Sequence, residues 1–180
     1  MRVFLYTNII MEYYGHRQFF DDAESILMAA HEGAMEAAIS EGSLYTLTYL
    51  LGLELKKQGV YEPEKTARVR STLSALLSFV GVVRMDDQSL QQSVSDTDFS
   101  DIEDCYQYYC ALANGCDYLV TINLKHFRPS VPQGIEILAS RNSQSVSSPS
   151  WVVGTIVVLK GVTFASGRSL WLMKAITTFS

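Results

Sequence analysis

The sequence predicts an α/β domain in which a central, mostly parallel sheet is covered by helices on both faces. Two observations carry that expectation. Short apolar runs rich in β-formers alternate along the chain with longer segments whose apolar residues recur at helical spacing, the pattern of strand–helix–strand units. The composition, 48% apolar and 18% charged over 180 residues, is that of a chain able to bury a core on both faces of a sheet.

Each element has its own warrant. Arg2–Tyr6 is short and apolar, a buried strand by length, and Asn8 opens a turn into a short helix. Asp21–Gly33 reads as a helix with Ile26, Leu27 and Ala30 on one face and Gly33 as its stop. Met35–Ser40 is a second strand. Tyr45–Gln58 places Leu47, Leu50, Leu51 and Leu55 at helical spacing before Gly59. Pro63–Leu77 is a helix with Pro63 in its first turn. Phe79–Arg84 is strand-like, Asp101–Asn114 is helical up to Gly115, Tyr118–Thr121 is a strand, and Ile135–Leu138 is a candidate last strand.

Charge divides the chain. Residues 1–142 hold all nineteen acids against eleven Lys and Arg, a net −8, whereas residues 143–180 hold three bases and no acid. The polar run Ser140–Ser150 reads as a linker, so the expected organisation is a domain over 1–142 and an extension over 143–180. Within the extension, Trp151–Ala165 is apolar but shorter than the ~20 residues of a bilayer span and is interrupted by Lys160. An added hairpin, a contact surface and a frame-altered extension all fit it, and no transmembrane span is expected. The overall charge of −5 argues against a basic coat for nucleic acid but not against a nuclease that reaches phosphates through metal ions. Cys105, Cys110 and Cys116 are odd in number and clustered, a poor disulfide framework; reduced thiols, and with them a cytoplasmic setting, are expected. No secretory leader pattern opens the chain. Neither a G-x-S-x-G nucleophile elbow nor a glycine-rich phosphate loop is present.

If the strands are parallel, three segments converge beyond their carboxyl ends, where open sheets place ligands. They are Tyr6-Thr7-Asn8, Asp98–Asp104 and Thr121-Ile122-Asn123. Asp96, Asp98, Asp101, Glu103 and Asp104 form the densest group of carboxylates, and Asp101 and Asp104 share a helix face. Acids at such a position also fit a plain capping role, with Asp98 or Asp101 as the cap. Tyr106, Tyr108 and Tyr109 fit either base stacking or packing, and His126 fits either a base or a hydrogen-bonded surface residue.

The run Val3-Phe4-Leu5-Tyr6-Thr7-Asn8-Ile9-Ile10 resembles the opening strand of PIN domains, apolar residues followed by Asp-Thr-Asn. Asp101–Thr121, with Glu103-Asp104-Cys105 ahead of a helix and Gly115-Cys116-Asp117 ahead of a strand ending in Thr121, is similar to the family's second block. Asn123-Leu124-Lys125-His126-Phe127 resembles its closing Asn-x-x-(Asp/His)-Phe. Three motifs in order over roughly residues 1–140 imply the PIN fold, a three-layer α/β/α sandwich. They also imply a Mg²⁺- or Mn²⁺-dependent endoribonuclease, often the VapC-type toxin of a toxin–antitoxin pair, acting on RNA, with an antitoxin protein as partner and a homodimer as a common state.

Sites of that class gather three or four carboxylates around one or two hard cations, which activate water and offset phosphoryl charge. Carried over residue by residue, the resemblance puts the family's first aspartate at Tyr6. A neutral phenol cannot replace it, and its ring would fill the metal pocket. The second acid falls on Thr46, with Glu41 and Glu54 out of register; the third on Asp104; the fourth on Asn123. Asp104 is thus the expected principal metal ligand, with Asp101 auxiliary. Asn123, Asn8 and Thr7 are the expected supports, and Tyr6 and Thr121 line the same place. Each ligand lost commonly costs ~10–100-fold in metal affinity, so a catalytically inactive PIN-like module that binds RNA or protein through the same cleft is the alternative expectation.

Overall fold

The computed structural model describes residues 1–123 and 136–139. Five strands, β1 (Arg2–Leu5), β2 (Glu36–Ser40), β3 (Val80–Val83), β4 (Tyr118–Thr121) and β5 (Glu136–Ala139), form one sheet in the order β3-β2-β1-β4-β5. Every pairing is parallel. The helices are α1 (Thr7–Tyr14), α2 (Phe20–His31), α3 (Glu41–Lys57), α4 (Glu64–Leu77), α5 (Asp87–Ser95) and α6 (Ile102–Ala113).

The strands are apolar on both sides because both sides are covered. Along β1, Val3 and Leu5 point into one core and Phe4 into the other; Ala37 and Ile39 alternate with Ala38, and Tyr118 and Val120 with Leu119. The first core is closed by Ile9, Ile10 and Met11 of α1, Ile26 and Leu27 of α2, Leu47 and Leu51 of α3, and Leu76 of α4. The second is closed by Tyr108, Cys110 and Ala111 of α6. Three layers result: α1–α4, the sheet, and α5 with α6. Because side chains alternate at period two, Tyr6, two residues after Phe4, falls on the α6 side and packs against that core.

The sequence-derived elements are present, with three differences. The second long helix begins at Glu41, not Tyr45, because the Ser40 side chain caps it by accepting from Ser43 N at 3.0 Å. The candidate last strand lies at Glu136–Ala139 rather than Ile135–Leu138. An additional helix, α5, is capped by Asp86, which accepts from Ser89 N at 2.7 Å. Gly115 closes α6 at φ +62, a conformation open to glycine at no steric cost. The three cysteines are free and buried, and burial pushes each thiol up to about 11, which keeps them unreactive near neutrality. Among the described residues no helix is long and apolar enough to cross a membrane. His126, the 142/143 boundary and the extension lie outside the described residues.

Candidate functional site at the carboxyl edge of the sheet

Parallel strands all present their carboxyl ends at one edge, and polar residues end or follow β1, β2 and β4 there: Tyr6-Thr7-Asn8, Ser40, Thr121 and Asn123. They meet the first turn of α6. Three hydrogen-bonded groups result.

The first joins β1 to β4. Asn8 Nδ2 donates to Thr121 Oγ1 at 2.9 Å, and Asn8 Oδ1 accepts from Ile122 N at 3.4 Å. Thr121 Oγ1 also accepts from Asn123 N at 3.1 Å. Thr121 is wholly buried, so its hydroxyl fixes the start of the next loop. Thr7, beside it, is buried with a hydroxyl that has no hydrogen-bond partner among the described residues.

The second joins β1 to α6. Tyr6 is half-buried beside Asp104. Burial first, then the Asp104 carboxylate, then the charges of Glu103 and Asp101 hold its phenol well above the usual pKa. Asp104 itself is only 4% exposed and sits in the first turn of α6, where the helix dipole favours a carboxylate. Asp101 is exposed and caps α6, its Oδ1 accepting from Glu103 N at 2.8 Å. Burial, Asp101 and Asp104 together raise the Glu103 carboxyl above its usual value. Asp98 is not the cap; its backbone N–H donates to Asp96 Oδ1 at 2.9 Å.

The third joins α3 to α6. Ser40 Oγ and Ser43 Oγ are 2.8 Å apart, and Ser43 Oγ donates to Gln107 Oε1 at 3.3 Å. All three residues are buried. This neutral chain was not singled out in the sequence. The available signals were a serine ending a strand and a glutamine on the inner face of an apolar helix. Beside it a cavity of about 580 Å³ opens between α3 and α6, lined among others by Glu41, Tyr45, Thr46, Glu103 and Tyr106.

The carboxylates nearest the second family position are engaged elsewhere. Glu41 pairs with Arg84 at 3.2 Å, and Glu54 pairs with Lys57 at 3.3 Å and lies 3.8 Å from Arg17. Thr46 Oγ1 donates along its own helix to Gly42 O at 3.5 Å. Of the tyrosines of α6, Tyr108 is fully buried, and Tyr109 donates to Asp96 Oδ2 at 3.0 Å. Tyr106 alone lines the cavity.

A divalent ion does not fit this donor set. Among the described residues no three His, Cys, Asp or Glu side chains come together to hold one. Beside Asp104, the carboxylate best placed to do so, stands the neutral phenol of Tyr6, where the family pattern has an aspartate. The edge offers instead one buried carboxylate and an array of neutral hydroxyls and amides, suited to hydrogen-bonding a polar ligand.

The family model described as PIN domain matches residues 2–125. Among solved structures, the fold is similar to that of VapBC2 from Rickettsia felis bound to a DNA fragment from their promoter. The TM-score is 0.50 at 20% identity, covering 76% of this chain and 97% of that one. It is also similar to a toxin–antitoxin complex from Klebsiella pneumoniae, at TM-score 0.51 and 20% identity, with 75% and 99% covered. At that identity the likeness is one of fold. No curated protein matches.

Proposed function

The chain belongs to the PIN domain family, and from that premise we propose that it is a toxin-type protein of the ribonuclease class whose hydrolytic chemistry is silenced because Tyr6, Thr46 and Asn123 stand in place of family acids. The class acts on RNA phosphodiesters with Mg²⁺ or Mn²⁺. In such a site Asp104 would be the principal carboxylate and Asp101 auxiliary, with Asn123, Asn8, Thr7 and Thr121 orienting water, phosphate or the carboxylates. The single observation that supports the silencing is the neutral Tyr6 phenol beside Asp104, where the family pattern has an anionic ligand. The domain spans residues 1–142 in this reading, with 143–180 an extension, in a cytoplasmic protein.

An Mn²⁺-dependent ribonuclease assay on a mixed-sequence single-stranded RNA tests the reading. The chain as given cleaves nothing above background, and Tyr6→Asp cleaves. Cleavage by the given chain refutes silencing; no cleavage by either protein refutes the ribonuclease class.

A second reading is a catalytically silent module that binds RNA or protein through the same edge, and apolar side chains lining the cavity favour protein. Tyr45 is 76% exposed and Leu90 44%, more than isolated surface residues need explain. The toxin–antitoxin neighbours suggest an antitoxin segment as the partner, an apolar helix laid in the groove between α3 and α6. Co-purification with a genome-adjacent small DNA-binding protein supports it, and failure of Tyr45→Ser to weaken that complex opposes it.

A further inference from the structure

We infer that the groove between α3 and α6 is the docking site of the chain's own residues 151–159, delivered to it from the end of β5, so that the domain covers its own cleft. The inference goes beyond both functional readings and needs neither RNA nor a partner protein.

The groove combines apolar surface with acids. Its cavity is lined by Tyr45, Met85, Leu90 and Tyr106, together with Glu41 and Glu103. The apolar surface continues past it, because Tyr49 and Val94, one helical turn on from Tyr45 and Leu90, are also exposed. The start of α6 is crowded with anions: burial, then Asp101 and Asp104, raise the Glu103 carboxyl. A cationic segment laid there relieves that repulsion. Glu41 is already paired with Arg84, whereas Glu103 is exposed and open to a new cation.

Reach, polarity and charge select the occupant. The strands run parallel, and their register sets Ala139, the end of β5, at the level of Ser40, which ends β2 and lines the groove. β5 lies three strands from β2, ~14 Å at ordinary strand spacing. The twelve steps of chain from Ala139 to Trp151 reach up to ~40 Å. Residues 151–159 are apolar except for Gly154 and Thr155, and they end at Lys160, the cation to set against Glu103. Residues 143–180 hold three bases and no acid, against a net −8 over residues 1–142. Because segment and groove share one chain, an affinity on the order of millimolar is enough to fill the groove.

Tryptophan emission of the full chain tests the docking, since both tryptophans, Trp151 and Trp171, lie in residues 143–180. In Trp171→Phe, Trp151 emits at shorter wavelength than free N-acetyltryptophanamide and resists acrylamide quenching. Adding Tyr45→Ser or Leu90→Ser removes one apolar contact and weakens docking about tenfold. Emission then moves to longer wavelength and quenching rises, with far-UV circular dichroism unchanged. Lys160→Glu, which sets a like charge against Glu103, does the same. Tyr61→Ser, exposed beyond the other end of α3, changes nothing, and dilution from micromolar to nanomolar leaves the emission where it was. The proposal is overturned if Trp151 is quenched as readily as the free compound. It is equally overturned if the groove variants release Trp151 no more than Tyr61→Ser does, or if protection is lost on dilution, which would give the groove to a second copy. RNA cleavage and partner co-purification are read independently of this signal.

Discussion

The two halves of the sheet's carboxyl edge solve different problems. On the β4 side, Asn8, Thr121, Ile122 and Asn123 satisfy one another, with the uncharged Asn123 standing where the resemblance puts the family's fourth acid. On the β2 and α6 side, the positions that the resemblance assigns to acids are Tyr6, Thr46 and a single Asp104, flanked by a serine–glutamine chain. The first network closes within the protein and holds the loop after β4, so its residues have work in the fold itself. A carboxylate box closes only around a guest ion, and without one it is a cluster of repelling charges. A neutral phenol in place of a ligand removes one of those charges.

Substitutions can break or sharpen that contrast. The largest expected stability effect is at Thr121. Thr121→Val keeps shape and burial but leaves the Asn8 amide and the Asn123 N–H without their acceptor, a loss of about 1–3 kcal/mol, read as a lower urea midpoint at unchanged slope. Next is Ser40→Ala, which removes the cap of α3 and one end of the serine–glutamine chain. About 1 kcal/mol is expected from the cap, measured the same way, and an unchanged midpoint would show that the second half contributes nothing to holding the fold.

The fold was legible where strand and helix alternate in composition. It was less so where polarity inverts. In α5 the apolar Leu90 and Val94 are exposed while Ser89 and Ser93 are buried, so no apolar stripe announces the helix. Gly42 in the first turn of α3 masked a start that the Ser40 cap in fact sets. The strand order cannot be read from periodicity, because period two says which residues share a face and not which strand lies beside which. At the site, Thr7, Asn8 and Thr121 were visible as polar residues after buried runs. The loss of an acid at Tyr6 was also plain, but its place beside Asp104 brings together residues 98 positions apart and exists only once β1 and α6 are packed. The Ser43–Gln107 bond is hidden for the same reason.

Titration supplies a smaller effect. The Glu103 carboxyl is raised in the folded protein by burial, Asp101 and Asp104, so the folded state holds its proton to higher pH than the unfolded chain does. Stability is therefore lost as pH rises from the ordinary glutamate value through the raised one, and the penalty persists above it. Glu103→Gln should be the more stable protein at neutral pH, with the gain over the given chain shrinking as pH falls below that window; thermal melts across pH follow it. A constant gain at all pH values would assign the effect to packing.

The smallest expected change is at Thr7, whose buried hydroxyl has no partner among the described residues. Thr7→Val should leave the melting temperature unchanged or slightly higher, because nothing is lost with the hydroxyl and a desolvated polar atom is removed. A drop comparable to that of Thr121→Val would place Thr7 inside the β4-side network.

An anomalous-scattering map from crystals soaked in Mn²⁺ addresses the cation most directly. It should show no peak at coordination distance from the Asp104 carboxylate in this chain, and a peak there in Tyr6→Asp. A Mn²⁺ peak on Asp104 with Tyr6 in place would contradict the account.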